Sequence, residues 1–142
     1  MFRFQLVSIT GSKFDDDVYE VVLPTLDGQI GVLEHHMPLI SVVNNGIVMV
    51  RRRSNDPDSA REFFATNGGV IDIADNVLKV LVDEADNGDE INEAEAQKAF
   101  ERAMKLKSEA KDQTSLENAQ AMVDRQAVRL RVAELKRHGK RT

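Results

Sequence analysis

LPTLDGQIGVLEHHMPL, residues 23–39, sets the architecture of the first part of the chain. Val21, Val22 and Leu23 read as extended chain. Pro24 is expected to keep that run from a central place in a sheet, because proline cannot donate to a ladder. Asp27-Gly28 signals a hairpin turn, since glycine takes the positive φ that a tight turn demands. Ile30, Val32 and Leu33 resume the strand, and Gly31 among them suggests a bulge or a close backbone approach. Glu34, His35, His36 and Met37 then make a polar loop, with Met37 held extended by Pro38.

To either side the same pattern continues. Phe2, Phe4 and Leu6 alternate with Arg3 and Gln5, a half-buried strand. Asp15-Asp16-Asp17 reads as a solvated turn, since it lacks the further oxygen ligands and the spaced Gly and Glu of a cation loop. Strands follow at Leu39–Val43 and Ile47–Val50, joined by the turn Asn44-Asn45-Gly46. Arg51-Arg52-Arg53 reads as a strand end whose charge the acids of the next loop can neutralise. A nucleic-acid surface would need a broad basic face and stacking aromatics. Glu62–Ala65, a turn at Asn67-Gly68-Gly69, Val70–Ile73, a turn at Asp75-Asn76 and Val77–Val82 complete the series. Short strands about ten residues apart, separated by Gly/Asn/Asp turns, imply an all-β sandwich or barrel. With no Trp and few aromatics, its core is expected to be mostly Val, Ile, Leu and Ala.

Composition changes at Asp86-Asn87-Gly88-Asp89. Beyond it Ala, Glu, Lys and Gln dominate, and the next glycine is Gly139. The boundary divides a β domain, residues 1–87, from a helical one, 88–142. Asn92 with Glu95 fits a capping box. Ala96, Ala99, Phe100, Ala103, Leu106 and Ala110 then line one helix face. Thr114 with Glu117 predicts a second cap, ahead of the stripe Leu116, Ala119, Val123, Ala127, Leu130 and Ala133. The short connection predicts an antiparallel hairpin, so the fold class is a mainly β sandwich followed by a helical pair. Val128, Val132 and Leu135 form a second apolar edge on the later helix. That edge needs another surface, either the chain's own sandwich or a partner, and the residues leave both open. A hairpin of this length is marginal alone in water and so suits a mobile element.

Charge is unevenly placed. Residues 1–88 carry 7 Lys/Arg against 14 Asp/Glu, whereas residues 122–142 carry 7 against 2. An acidic body with a basic tail bears on partners rather than on fold. Cysteine is absent, which excludes disulfides, thiol nucleophiles and thiolate metal sites. The apolar runs fall far short of the ~20 residues of a membrane helix, and no leader pattern opens the chain, so a soluble protein is expected. Catalytic signatures are missing: no Gly-x-Ser-x-Gly, no phosphate-cradling glycine loop, and adjacent histidines without the i, i+4 spacing of a helical metal pair. The expectation is a non-enzyme without cofactor or metal, whose His35-His36 loop is a contact patch.

DGQIGVL, then His36-Met37-Pro38-Leu39, then Gly46 resemble the DGEIGIL…HAPL…G signature of the epsilon subunit of F-type ATP synthases. Val18–Leu23, Gly68-Gly69-Val70, Asn76-Val77 and Val82-Asp83-Glu84-Ala85 extend the likeness in the family's order, and two helices end the chain as the family's do. The resemblance implies a non-catalytic central-stalk subunit at the cytoplasmic face of the cell membrane. Its sandwich contacts the gamma subunit and the ring of c subunits, coupling proton flow to rotation. The ring-facing loop matches Asp27, Gln29, Glu34, His35, His36 and Met37, with Gln29 where Glu is usual, Glu34 where Pro is common and Met37 where Ala is. The helices of the family fold down on the sandwich or extend into the alpha/beta hexamer and block hydrolysis. Arg125, Arg129, Arg131, Lys136 and Arg137 suit the acidic surface met there. Some members bind ATP through I-D-x-x-R-A. Here Ile91-Asn92-Glu93-Ala94-Glu95-Ala96 loses the Arg to Glu95, so no ATP binding of that type is expected. From the residues alone the runner-up is a free-standing adaptor whose basic hairpin binds another acidic protein.

Overall fold

Phe2, Phe4 and Leu6 put alternate side chains into the core and make β1 (Phe2–Ser8) the seam of the sheet. The structure is a computed structural model describing residues 1–141, with side chains described as far as Arg137. β1 pairs antiparallel with β2 (Gly11–Val18) and parallel with β8 (Val77–Asn87). β3 (Glu20–Thr25) and β4 (Gly28–Val32) form a hairpin, and β5 (Leu39–Val43) and β6 (Gly46–Arg51) follow. β7 (Glu62–Ala74) joins the layers: its first half pairs with β6 and its second with β5, while β8 runs along its length.

Asn67-Gly68-Gly69 is therefore no turn. It is the bend in one long strand at which β7 exchanges partners, and the register to β8 is unbroken from Asn67↔Glu84 to Gly69↔Val82. Gly68 sits at φ +44, and a Cβ at Gly69 would collide with the Leu81 carbonyl. Glycine is the residue that lets the bend and the close approach coexist.

Asp15-Asp16-Asp17 also lies in a strand. Opposite Gln5, Phe4 and Arg3, these residues form the outer edge of the sheet. Asp16 bonds Arg52, whose guanidinium lies 4.7 Å from the Phe14 ring centroid. A charged edge strand blocks pairing with other chains, so the run protects an edge that periodicity alone reads as a turn. Arg52 also bonds Glu62 at 2.6 Å, and Arg51 bonds Asp58 at 2.6 Å, which neutralises two of the three arginines.

β3 has neighbours on both sides, contrary to the expectation for Pro24. Pro24 stands where β3 passes from its pairs with β6 to the Val43 end of β5, and its carbonyl accepts from Asn44 N–H at 2.9 Å. The missing N–H falls in that handover, so no ladder bond is lost. Gly31 is neither bulged nor crowded: the β3–β4 register runs evenly through it. The core holds more aromatic surface than composition suggests, because Phe4 packs tilted on Phe14 at 5.2 Å and Phe14 meets Phe64 edge to face at 6.0 Å.

Asn92 caps α1 (Glu93–Glu109), its Oδ1 accepting from Glu95 N–H at 3.0 Å. The cap of α2 (Gln113–Arg141) is Asp112, which accepts from Ser115 N–H at 2.6 Å, and Thr114 lies inside the helix. Asp outcompetes Thr here because the charged oxygen also meets the positive end of the helix dipole. Ala96, Ala103, Ala119, Val123 and Ala133 are buried. Leu106 and Leu116 stay exposed at the loop end of the pair, where no third surface covers them.

Candidate functional site

The predicted contact residues divide between the two ends of β4. Asp27 is exposed at the β3–β4 turn, where Thr25 Oγ1 donates to Gly28 O at 2.6 Å. Glu34, His35, His36 and Met37 lie beyond the other end, roughly 13 Å away at the ~3.3 Å rise of a strand. Gln29 faces the helices, in a cleft lined also by Arg131 and Leu135. The structure thus brings Glu34–Met37 together and separates Asp27 and Gln29 from them.

The Glu34–Met37 loop is pinned. His35 has a left-handed backbone at φ 61, and its N–H donates to Asn76 Oδ1 at 2.8 Å. Asn76 occupies a two-residue turn with Asp75, both at positive φ, and its Nδ2 donates to Met1 O at 3.1 Å. Glu34 Oε1 lies 3.0 Å from the Met1 ammonium, which holds this carboxyl below its usual range. Its imidazole neighbour is His35, at 3.8 Å, while His36 Nδ1–H donates to Met37 O at 2.7 Å. The loop presents Met37, 73% exposed, on a fixed base. Among the described residues no group of three or more His, Cys, Asp and Glu could hold a metal ion.

The basic residues of α2 are gathered differently. Val132 is fully buried against Phe63 and Ala65, so the second apolar edge lies on the chain's own sandwich. Gly88 makes the fit possible: a Cβ there would come 2.8 Å from Val132 Cγ1 and 3.2 Å from Phe63 O. Along the seam run three ion pairs, Arg125–Glu84 at 2.6 Å, Arg129–Asp86 at 3.4 Å and Lys136–Asp89 at 2.9 Å, and a fourth, Arg137–Glu93 at 2.9 Å, continues them onto the start of α1. Glu84 Oε2, Arg125 Nε and Arg129 Nε are sealed from solvent without an aligned hydrogen bond, so those contacts rest on charge rather than on geometry. Arg131 has no ion pair among the described residues and faces the cleft.

Sequence reasoning missed one surface. Val70 on β7 lies between Val42 on β5 and Leu81 on β8, and Val7 on β1 continues the row. Val42, Val70 and Leu81 are 49%, 44% and 54% exposed. Ile40, 77% exposed, lies beside the row. The signal was present as unbroken apolar pairs, Val70-Ile71 and Leu81-Val82, which give a strand an apolar residue on each face.

A flattened sandwich with an apolar outer face, carrying a docked two-helix arm, defines a subunit-like protein built to meet other chains. A family model described as "ATP synthase, Delta/Epsilon chain, beta-sandwich domain" matches residues 1–88. An ATP synthase epsilon chain from Sulfurihydrogenibium sp. (strain YO3AOP1) is 33% identical over 137 residues, 96% of this chain and 99% of the relative. One from Gloeobacter violaceus is 35% identical over 131 residues, 92% and 96% of the two chains. The fold is shared with a chain of the Euglena gracilis mitochondrial ATP synthase OSCP/F1/c-ring assembly, at TM-score 0.72 and 20% identity, over 85% of this chain and 74% of that one. It is also shared with one from the Tetrahymena thermophila central stalk and c-ring, at TM-score 0.59 and 13% identity, over 92% and 95%. The chain belongs to the ATP synthase epsilon-chain family.

Proposed function

We propose that this chain is a non-catalytic rotor subunit, held peripherally at the cytoplasmic face of the cell membrane, that helps couple ion flow through a c-ring to ATP synthesis. Residues 1–87 are the anchor and 88–142 the regulatory arm. The Val42–Val70–Leu81 face seats the gamma subunit, because an apolar row of this kind on an otherwise acidic body is the surface a permanent partner would cover. The pinned Glu34–Met37 loop meets the c-ring, and Met37 supplies its adaptable apolar contact. Freed from the sandwich, the α2 cations bind the acidic surface of the alpha/beta hexamer and slow hydrolysis. Those cations are matched to carboxylates at the spacing of a helix face, and this observation carries the regulatory reading.

The test is binding of the full chain to an epsilon-depleted ATPase complex from the same source. Val70→Glu with Leu81→Glu is expected to weaken binding at least tenfold, and Met37→Ser to leave it within a few-fold while lowering coupling. Unchanged binding of the double variant would remove the face assignment.

A further inference from the structure

We propose that the cleft between α2 and the sandwich binds an amphiphilic carboxylate, a molecule with one anionic head and an apolar chain. The cleft has a volume of about 480 Å³, within the range of small-molecule sites. Its floor is apolar, built from Ile47, Met49 and Phe63 of the sheet, and Val128 and Leu135 close it from the helix. Among the described residues no aspartate or glutamate lines it, although the chain as a whole has a net charge of −5. Its charged groups among the described residues are two arginines, Arg61 and Arg131. Among the described α2 cations in the cleft, Arg131 stands outside the ion-pair ladder. Arg61 lies 5.6 Å from the Phe63 ring centroid and 3.8 Å from Asp58, whose carboxylate Arg51 engages more closely at 2.6 Å. Two cations over an apolar floor select an anion with a hydrophobic body, since the guanidiniums meet the head and the floor takes the chain.

The site is composite. Arg131 and Leu135 come from the helix, Met49 and Phe63 from the sandwich, so the complete cleft exists only while α2 is docked. A ligand that fills it binds the docked arrangement alone and stabilises that arrangement by mass action. This holds whatever the sandwich contacts.

The probe is decanoate below its aggregation concentration, titrated into the full chain and followed by calorimetry and by the methyl resonances of Met49 and Leu135. One-to-one saturable binding is expected, with both methyls shifting. Arg131→Gln should weaken it at least tenfold, and neutral decanol should bind at least tenfold more weakly than decanoate. The proposal is overturned by non-saturable uptake, by equal affinity for decanol, by an Arg131→Gln variant that binds as well as the parent, or by shifts centred on Val70 and Leu81 instead.

Discussion

Arg125 of α2 places its Nε 2.6 Å from Glu84 Oε2 on β8, and both atoms are closed off from solvent. The pair is the first rung of a ladder that matches one side of the helix to the strand end and turn beneath it. Removing one partner leaves a single shielded atom of the other unpaired while the rest of its charged head stays in water, so single losses should be modest. Glu84→Ala and Arg125→Ala should each loosen α2, read as faster amide exchange in the helix. The double variant should recover part of the loss, with a coupling of about 0.5 kcal/mol, since both side chains are more than a third exposed.

The ladder is also a prediction about salt. Exposed pairs are screened beyond a Debye length of about 8 Å at physiological ionic strength, and more strongly above it. Raising salt from 0.05 to about 0.5 M should increase the exchange rate of α2 amides while leaving those of β1 and β8 unchanged. Equal protection of α2 at both concentrations would show that Val132 and its apolar neighbours hold the helix without help from charge.

Gly88→Ala tests the apolar part of the seam. The new Cβ would approach Val132 Cγ1 and the Phe63 carbonyl too closely, and a β-branched side chain and a strand backbone have little room to give. Overpacking of this kind costs about 1–3 kcal/mol. The loss should appear as undocking of α2, with the sandwich melting as before. A cooperative fall in the stability of the whole chain would contradict the separation of the two hydrophobic clusters.

Glu34 carries a pH prediction. The Met1 ammonium favours its ionised form, so its folded pKa lies below the ordinary value of 4.5. A depressed carboxyl contributes stability that is fully present above its unfolded pKa and is lost as pH falls through the folded one. The His35 loop should therefore hold its geometry at neutral pH and loosen only in acid, below the ordinary carboxylate range. Glu34 should titrate below a model peptide by carbon NMR, and acetylating the N-terminus should remove the difference.

Nucleotide is expected to leave the helices where they are. The cavity at the start of α1, about 240 Å³, is lined by Asp89, Glu93, Lys136 and Arg137, and both cations are already paired with these acids. Phosphate would have to displace two carboxylates and meet an acidic rim. Calorimetry with ATP and magnesium should give no saturable heat, and binding at physiological concentration would contradict the pairing.

Much of this was legible in the residues, for reasons that differ by element. Periodicity exposed β1, because Phe2, Phe4 and Leu6 bury one face of a strand beside polar neighbours. Asn92 was readable as a cap because its role depends on the next three residues alone. Asp15–Asp17 was not, since only the distant Arg3 and Arg52 reveal why charge belongs in an edge strand. Gly68-Gly69 has the composition of a turn, and only pairing with β8 distinguishes a bend from a reversal. The cations of α2 were picked out by type, but their partners Glu84, Asp86, Asp89 and Glu93 lie far away in sequence. Closeness in sequence groups Asp27 with Glu34–Met37, whereas the intervening strand β4 sets Asp27 at its far end.

In the proposed function α2 exchanges one acidic surface for another. The most direct test neutralises the first: Glu84→Gln, Asp86→Asn and Asp89→Asn in the full chain, added to an epsilon-depleted ATPase complex and compared with the parent at saturating occupancy. The account predicts tighter inhibition, with a hydrolysis rate several-fold below that given by the parent, because the cations lose their internal partners and keep the external one. Equal or weaker inhibition at the same occupancy would contradict it, and would leave the ladder as a structural seam with no part in control.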